Sequence, residues 1–221
     1  MKRFLCAILL AALSSVLLSQ GLTHPMTGRR IAGVAGDWAW LDRAEREQEE
    51  EPRRALELID IRPGMVVADV GAGTGYFTVL LAQRVGLQGK VYANDIQPKL
   101  LGILRDKIQK GNLSNIEIVQ GRHDDTRLPE GTIELALLVD VYHEFQYPQA
   151  MLASIRRSLK PSGLLVLLEY RKEDPDLPIL EEHKMSVKEA RTEVEAEGFT
   201  FDRSVRGLPR QHILIFRKPA Q

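Results

Sequence analysis

Short apolar runs alternate with amphipathic segments over most of this chain of 221 residues. Apolar runs rich in Val, Ile and Leu predict strands, and apolar positions spaced three and four apart predict helices. The predicted strands are 65–70, 91–94, 116–119, 133–139, 164–169, 199–205 and 212–216. The predicted helices are 75–85, 98–110, 149–159 and 186–197. Repeated strand–helix units of this kind predict a parallel sheet with helices on both faces.

The last two predicted strands follow one another without a helix between them. They are separated by the turn-forming segment 207–210, which has the sequence Gly-Leu-Pro-Arg. Such a pair predicts an antiparallel hairpin at the end of the sheet. The pattern therefore predicts an α/β three-layer sandwich whose seven-stranded, mostly parallel, Rossmann-like sheet ends in a C-terminal antiparallel β-hairpin.

Composition narrows the classes of partner. The chain is long enough for one substantial domain, and its 30 Lys and Arg balance its 30 Asp and Glu. The chain therefore has no excess of basic residues, which disfavours a nucleic-acid partner.

The segment from Val66 to Thr78 joins the first predicted strand to the first predicted helix through a glycine-rich loop. Gly71, Gly73 and Gly75 permit backbone angles that other residues avoid, and they let a ligand approach the chain closely. A dinucleotide-binding turn would require a small residue where Tyr76 stands, so that a pyrophosphate can fit. The loop thus favours a nucleoside ligand without a pyrophosphate.

This loop resembles motif I of the class I S-adenosylmethionine (SAM) methyltransferases. Segments 91–96, 121–125, 133–140 and 159–169 resemble that family's later strands and loops in the same order, so that the resemblance extends over about residues 51–218. Overall the chain looks most like the small single-domain enzymes of the ubiquinone/menaquinone and arsenite types. Its single cysteine, Cys6, excludes the arsenite class. It also shows no Asn-Pro-Pro-Tyr or Asp-Pro-Pro-Tyr tetrapeptide after the fourth strand, which disfavours amino-methylation of nucleic-acid bases or glutamine.

The resemblance implies a cofactor, SAM, and a set of residues that bind it. Asp95 would accept hydrogen bonds from both ribose hydroxyls, and an acid after the third strand, Asp124 in preference to Asp125, would accept one from the adenine amino group. The full expected set is Asp69, Gly71, Ala72, Gly73, Thr74, Gly75, Tyr76, Asp95, Ile96, Asp124, Asp125 and Asp140.

Candidate catalytic groups follow the fourth predicted strand, next to the expected sulfonium. Tyr142, His143 and Glu144 offer a phenol, an imidazole that titrates near neutrality and a carboxylate. His143 is the candidate general base for a hydroxyl or acidic-carbon acceptor. Alternatively, His143 only orders the loop while Tyr142 or Phe145 walls the pocket. No metal is expected, because the histidines show no recognisable ligand spacing.

The N-terminus predicts export. Lys2 and Arg3 precede an apolar run, 4–18, which the small residues Ser19 and Gly21 follow closely. This order is typical of a secretory signal peptide, and the run is short for a membrane span. We therefore expect a signal peptide or anchor at 1–21 and a periplasmic protein, with membrane attachment only if the leader is retained.

The chain is thus divided into the leader, an N-terminal arm and lid helix at 22–50, and the methyltransferase domain at 51–218. Trp38 and Trp40 would either cover the cofactor as part of that lid or pack in the core. The expected function is methyl transfer from SAM to a small-molecule acceptor by in-line displacement. The alternatives are a SAM- or S-adenosylhomocysteine-binding module without turnover and, less favoured by Tyr76 and the final hairpin, a nicotinamide-dependent oxidoreductase.

Overall fold

A computed structural model describes residues 22–34 and 38–220 of the protein. The predicted leader, 1–21, lies outside these described residues. Within them, no helix is both long enough and apolar enough to cross a membrane.

Eight strands and six α-helices make up the described domain. The strands are β1 (Val66–Val70), β2 (Lys90–Asp95), β3 (Ile116–Gln120), β4 (Ile133–Val139), β5 (Leu159–Arg171), β6 (Lys184–Met185), β7 (Thr200–Val205) and β8 (Gln211–Arg217). The α-helices are α1 (Arg46–Glu50), α2 (Pro52–Leu58), α3 (Tyr76–Val85), α4 (Pro98–Gly111), α5 (Pro148–Ser158) and α6 (Val187–Ala196). Short 3₁₀ helices occupy Trp38–Asp42, Tyr142–Glu144 and Glu181–His183.

The strands form one sheet in the order β3-β2-β1-β4-β5-β8-β7, and β6 pairs with β5 beside this path. Strands β1 to β6 pair in parallel, whereas β8 runs antiparallel to both β5 and β7. The predicted fold class is confirmed, including its C-terminal hairpin. One strand was missed, the two-residue β6, which is too short to leave an apolar pattern.

Strand β5 starts earlier than the sequence indicated. A break was expected at Pro161–Gly163, but the strand runs from Leu159 and tolerates this segment through a shift in its register with β4. Ser162 has a positive φ of 61° there. The turn residues therefore distort the strand without ending it.

Apolar side chains cover both faces of the sheet. Leu56 of α2 and Leu81 of α3 pack on one face, where α4 also contributes Leu104. Leu152 of α5 and Val194 of α6 pack on the other. Burial on both faces explains why the central strands are nearly continuous runs of Val, Leu and Ala.

Candidate active site

A cavity of about 520 Å³ lies at the edge of the sheet where the parallel strands end. Ligands of open α/β sheets bind at this edge, because the loops after the strands diverge there. The predicted site residues that line the cavity are Asp69, Gly71, Ala72, Gly73, Thr74, Tyr76, Asp95, Ile96, Asp140, His143 and Glu144. Gly75, Tyr142, Asp124 and Asp125 do not line it.

The glycine loop is shaped by contacts within the protein. Gly71 has a φ of 77°, and a Cβ atom there would lie 2.5 Å from Cγ2 of Val141. Gly75 has a φ of 88° and is the residue from which α3 begins. Gly75 therefore shapes the loop through its backbone conformation, although it does not line the cavity.

Most N–H groups of this loop are already engaged. Those of Gly71 and Ala72 donate to the carbonyl of Asn94 at 2.8 and 2.9 Å, and that of Gly75 donates to the carbonyl of Ala72 at 2.8 Å. The Gly73 N–H donates to a carboxylate oxygen of Asp95 at 2.8 Å. A loop that binds a phosphate presents free N–H groups to the anion. Four of the five N–H groups of this loop are not free for an anion, which favours a ligand without phosphate.

Asp69 is buried near the end of β1. Its Oδ2 atom accepts a hydrogen bond of 2.6 Å from the hydroxyl of Thr78. Burial raises the pKa of Asp69 to about 6, with the negative charge of Asp95 acting in the same direction.

Asp95 ends β2 and accepts two backbone hydrogen bonds, from Gly73 and from Gln97, each at 2.8 Å. Burial raises its pKa even though these hydrogen bonds oppose the shift. Each carboxylate oxygen keeps a second lone pair, so Asp95 can still accept from a ligand.

Asp140 follows β4 in a strained conformation, with a φ of 51°. Its Oδ2 atom accepts from the amide of Gln211 at 2.7 Å, whereas its buried Oδ1 has no hydrogen-bond partner among the described residues. Burial and the nearby charges of Glu50 and Glu169 raise its pKa well above the usual range. Thr74, which also lines the cavity, likewise has a buried and unpartnered hydroxyl in this structure.

The loop after β3 departs from the expected arrangement. Asp124 pairs with Arg122 at 3.2 Å and borders a smaller cavity that adjoins the main one through Ile96 and His123. Asp125 accepts from the hydroxyl of Ser154 and the N–H of Arg127, which lower its pKa. Arg122 and His123 line the main cavity, and both are exposed residues of this loop.

The segment before β1 covers the glycine loop. Trp40 and Leu41 line the cavity, and Leu41 contacts the position where Gly73 would carry a Cβ atom. Trp38 and Trp40 are each 39% exposed, so the alternative of core packing is wrong for both. The guanidinium of Arg43 stacks 3.5 Å from the ring centre of Trp40.

A buried ionic cluster fixes this cover to the domain. Arg46 lines the cavity and donates from Nε to Glu50 at 2.7 Å. Glu50 also accepts from the phenol of Tyr170 in β5 at 2.7 Å. Although burial alone would raise the pKa of Glu50, the charge of Arg46 and these hydrogen bonds hold it below its ordinary value. The cover is thus connected to the centre of the sheet.

His143, which lines the cavity, belongs to a chain of three side chains. Its Nδ1 atom lies 2.6 Å from Oε2 of Glu169, and its Nε2 atom lies 3.1 Å from Nδ1 of His183. A carboxylate can only accept, so we assign a proton to Nδ1 of His143, whereas the donor across the contact between the two imidazoles depends on their tautomers. The other oxygen of Glu169 accepts from the N–H of Tyr142 at 3.0 Å.

Tyr142 is not placed to act on a ligand. Its side chain is fully buried in the core, packs edge-on against Phe145, and lies beneath the guanidinium of Arg29. The 3₁₀ turn over Tyr142–Glu144 sends consecutive side chains in different directions. His143 and Glu144 therefore face the cavity while Tyr142 enters the core, and Phe145 is the aromatic residue that walls the pocket.

Sequence reasoning missed Glu169, and for segment 181–186, which includes His183, it left open whether the segment lines the substrate cavity or is a polar loop. Glu169 could have been found, because it follows a buried apolar run as Asp69 and Asp95 do. His183 had no such signal. It lies beside Glu169 because β6 pairs with the end of β5, with Lys184 opposite Tyr170.

Comparison with known proteins accounts for this cavity. Residues 68–167 match the methyltransferase domain family. The chain is 34% identical over 121 residues to the ubiquinone/menaquinone biosynthesis C-methyltransferase UbiE of Hydrogenovibrio crunogenus, covering 54% of this chain and 48% of that one. It is also 34% identical over 118 residues to the UbiE of Teredinibacter turnerae, covering 53% and 47%. The chain thus spans about half the length of the curated relatives that it matches.

Solved structures agree on the fold of the methyltransferase domain. A SAM-dependent methyltransferase from Aquifex aeolicus superposes with a TM-score of 0.76 at 27% identity, covering 81% of this chain and 96% of that one. The [4+2]-cyclase SpnF superposes with a TM-score of 0.65 at 17% identity, covering 76% and 81%. The second likeness concerns the fold alone. The matched segment agrees with the predicted methyltransferase domain, and the Aquifex aeolicus structure confirms the predicted fold.

Proposed function

We propose that this protein transfers the methyl group of SAM to a small, largely apolar acceptor by in-line displacement. The observation that carries the proposal is the chemistry of the cavity. Three aspartates line it, and most N–H groups of its glycine loop are engaged within the protein. This suits a cationic nucleoside better than a pyrophosphate, and SAM carries a sulfonium and an ammonium group.

The residues present fit SAM. Asp95 would hold the ribose hydroxyls through its remaining lone pairs, as the resemblance implies. The unpartnered oxygens of Thr74 and Asp140 offer polar contacts to the methionine portion. Ile96 and Leu100 provide apolar surface near Asp95 for the adenine ring, and Arg122 and His123, rather than Asp124 and Asp125, border it.

Bound SAM supplies an electrophilic methyl group, so the protein mainly has to align an acceptor with it and exclude water. The cover formed by Trp40, Leu41 and Arg46 suits the exclusion of water. We propose that 22–50 acts as an arm and lid over the domain at 51–218. Pro178, Ile179 and Leu180 line the cavity near His183 and favour an apolar acceptor. His143, oriented by Glu169, is the group through which an acceptor proton would leave.

Calorimetric titration tests the cofactor first. SAM and S-adenosylhomocysteine should each bind with one molecule per protein chain, and NADH should not bind. Preferential binding of NADH would favour the oxidoreductase instead. Incubation of the protein with SAM labelled in the methyl group and with cell-envelope extract then tests turnover. Transfer of label to a low-molecular-weight product, reduced in His143→Ala but not in the exposed-surface variant Glu130→Gln, is the expected result. Tight SAM binding without transfer in any extract would favour the non-catalytic module.

We also propose that the segment 1–21 directs export to the periplasm. The support is the order of its residues, with Lys2 and Arg3 before the apolar run 4–18. Fractionation of cells that express the full chain, with mass spectrometry of the recovered protein, tests this. A periplasmic product that lacks about 21 residues is expected. A full-length product in the cytoplasm would contradict the proposal, and a full-length product in the membrane fraction would indicate an anchor.

A further inference from the structure

We propose that His143, His183 and Glu144 form a binding site for a divalent transition-metal ion of the zinc class. One ligand atom of each of these three residues lies within 4.8 Å of the other two. The site lies on the segment that follows β4, and with an ion bound there Nε2 of His143 would be a metal ligand and not the proton acceptor proposed above.

The two imidazoles are already spaced as a metal would require. Nε2 of His143 and Nδ1 of His183 lie 3.1 Å apart. Two nitrogens bound to one tetrahedral zinc ion at about 2.0–2.1 Å are separated by roughly 3.3 Å. An ion could therefore be accepted between them with a small movement. A carboxylate oxygen of Glu144 lies within 4.8 Å of both of these histidines' ligand nitrogens and completes the set.

Glu169 provides the outer support that metal-binding histidines have in other proteins. A histidine that binds a metal usually donates its second ring N–H to a carboxylate or carbonyl, which fixes the tautomer and the ring orientation. Nδ1 of His143 makes such a contact with Glu169 at 2.6 Å, and both side chains are buried. The lone pair of Nε2 is thereby directed toward His183, where the ion would lie.

The types and the number of the three ligands indicate the class of ion. Two imidazoles and one carboxylate suit Zn²⁺ or Fe²⁺, whereas Mg²⁺ and Ca²⁺ prefer oxygen ligands throughout. Three protein ligands leave a coordination position open, which is typical of a catalytic and not of a structural zinc site. All three residues line the cavity, so this position would face the acceptor. A hydroxyl bound there would lose its proton more readily.

No metal was expected from the sequence, because 40 residues separate the two histidines and no metal-binding spacing relates them. They meet only because β4 and β6 both lie beside β5. His143 follows β4, and His183 precedes β6 by one residue.

Titration of the chelator-treated full chain with ZnCl₂, and with CoCl₂ for its visible absorption, tests the proposal. We expect one equivalent of Zn²⁺ to bind far more tightly than Mg²⁺, and Co²⁺ to show the intense bands of tetrahedral coordination. His183→Gln and Glu144→Gln should each weaken Zn²⁺ binding by at least about tenfold. His123→Gln is the matched control, because this histidine borders the same cavity outside the cluster, and it should bind Zn²⁺ as the parent does.

Absence of Zn²⁺ binding, or binding that neither substitution weakens, would overturn the proposal. His143 and His183 would then be a hydrogen-bonded pair in which Nδ1–H of His183 donates to Nε2 of His143. Unfolding midpoints of each variant show whether a loss of binding reflects a loss of structure. Calorimetry with SAM on the same samples separates a failure of this site from a failure of the proposed function.

Discussion

Nδ1 of His143 lies 2.6 Å from Oε2 of Glu169, and less than 2% of either residue is exposed. The contact joins the turn after β4 to the end of β5, two strands that pair in parallel. Charge-assisted hydrogen bonds between buried groups are among the stronger ones in proteins. The imidazole is therefore held in one orientation and one tautomer before any ligand arrives.

Replacing Glu169 by Gln keeps the shape of the side chain and removes its charge. An amide can present either its oxygen or its NH₂ group to His143, so the tautomer is no longer fixed. We expect the affinity for Zn²⁺ to fall about 10–100-fold, as for other losses of outer-shell carboxylates. Calorimetry measures this, with the exposed Glu130→Gln as the control. An unchanged Zn²⁺ affinity would show that Glu169 does not orient a metal ligand.

Asp95→Ala should weaken SAM binding by about 2–4 kcal/mol, because two charge-assisted hydrogen bonds to the ribose are lost. Some of the effect will come from the glycine loop, since Gly73 also loses its acceptor. Asp95→Asn is the comparison, because its amide oxygen still accepts and a smaller loss is expected. Titration with SAM tests both variants. Parent-like affinity in Asp95→Ala would mean that the ribose lies elsewhere.

Gly71→Ala should destabilise the protein by about 2–4 kcal/mol. The new methyl group would meet Val141 at 2.5 Å while the residue keeps a positive φ, so overpacking adds to backbone strain. Gly131 also has a positive φ, of 60°, but nothing lies within 4 Å of a Cβ atom there. Gly131→Ala should therefore cost only about 1–2 kcal/mol.

Urea unfolding of both glycine variants measures these differences. Adding Val141→Ala to Gly71→Ala should recover part of the lost free energy of unfolding, because it removes the clash. Equal destabilisation by the two glycine substitutions would show that the contact with Val141 contributes nothing.

The titration of Asp69 should lower the free energy of unfolding as the pH rises from about 4 to about 6. Its pKa is about 6 in the folded protein, against an ordinary value of 3.8. In this window the folded protein therefore holds a proton that the unfolded chain has released, and the free energy of unfolding falls as the pH rises. The full effect is at most about 3 kcal/mol.

Asp69→Asn removes this titration and can still accept from Thr78. The stability difference between variant and parent should therefore shift in favour of the variant between pH 4 and pH 6 and stay constant above about pH 7. Urea unfolding across this range measures it. Other buried acids titrate in both proteins, so their contributions to the stability difference largely cancel. A difference that does not change with pH would place the pKa of Asp69 near its ordinary value.

The N-terminal arm should depend on the ion pair between Arg29 and Glu193. Nε of Arg29 donates to Glu193 at 2.9 Å, both side chains are buried, and a second nitrogen of Arg29 donates to the carbonyl of His143 at 3.2 Å. Arg29→Met leaves Glu193 charged and without this partner, which should cost about 3–5 kcal/mol.

The double variant Arg29→Met/Glu193→Leu should recover much of that loss, because two apolar side chains can fill the same space. A double-mutant cycle from urea unfolding gives the interaction free energy. Strict additivity of the two single substitutions would mean that the arm is held by its backbone contacts alone. One such contact is the hydrogen bond of 3.1 Å from the Ala32 N–H to the carbonyl of His143.

Rules that act within short segments predicted most of the fold. The bounds of β4 were predicted to the residue, and those of α3 differ by one residue at its start. The structure also brings the glycine loop, Asp69 and Asp95 to the cavity. It turns Tyr142 into the core, because a 3₁₀ turn sets the direction of that side chain, and a hydrogen-bonded loop keeps Asp124 and Asp125 out of the lining of the main cavity. No periodicity encodes those directions.

The sequence by itself determined the order of the strands and helices, the glycine loop and the aspartates that follow apolar runs. These features depend on local propensity and on the rule that parallel strands end at one edge. Only the tertiary structure decided that His143, Glu169 and His183 meet. Their contact depends on the pairing of β5 with β4 and β6, and β6 has only two residues. Such a pairing is stabilised by the packed domain and leaves no pattern in the sequence.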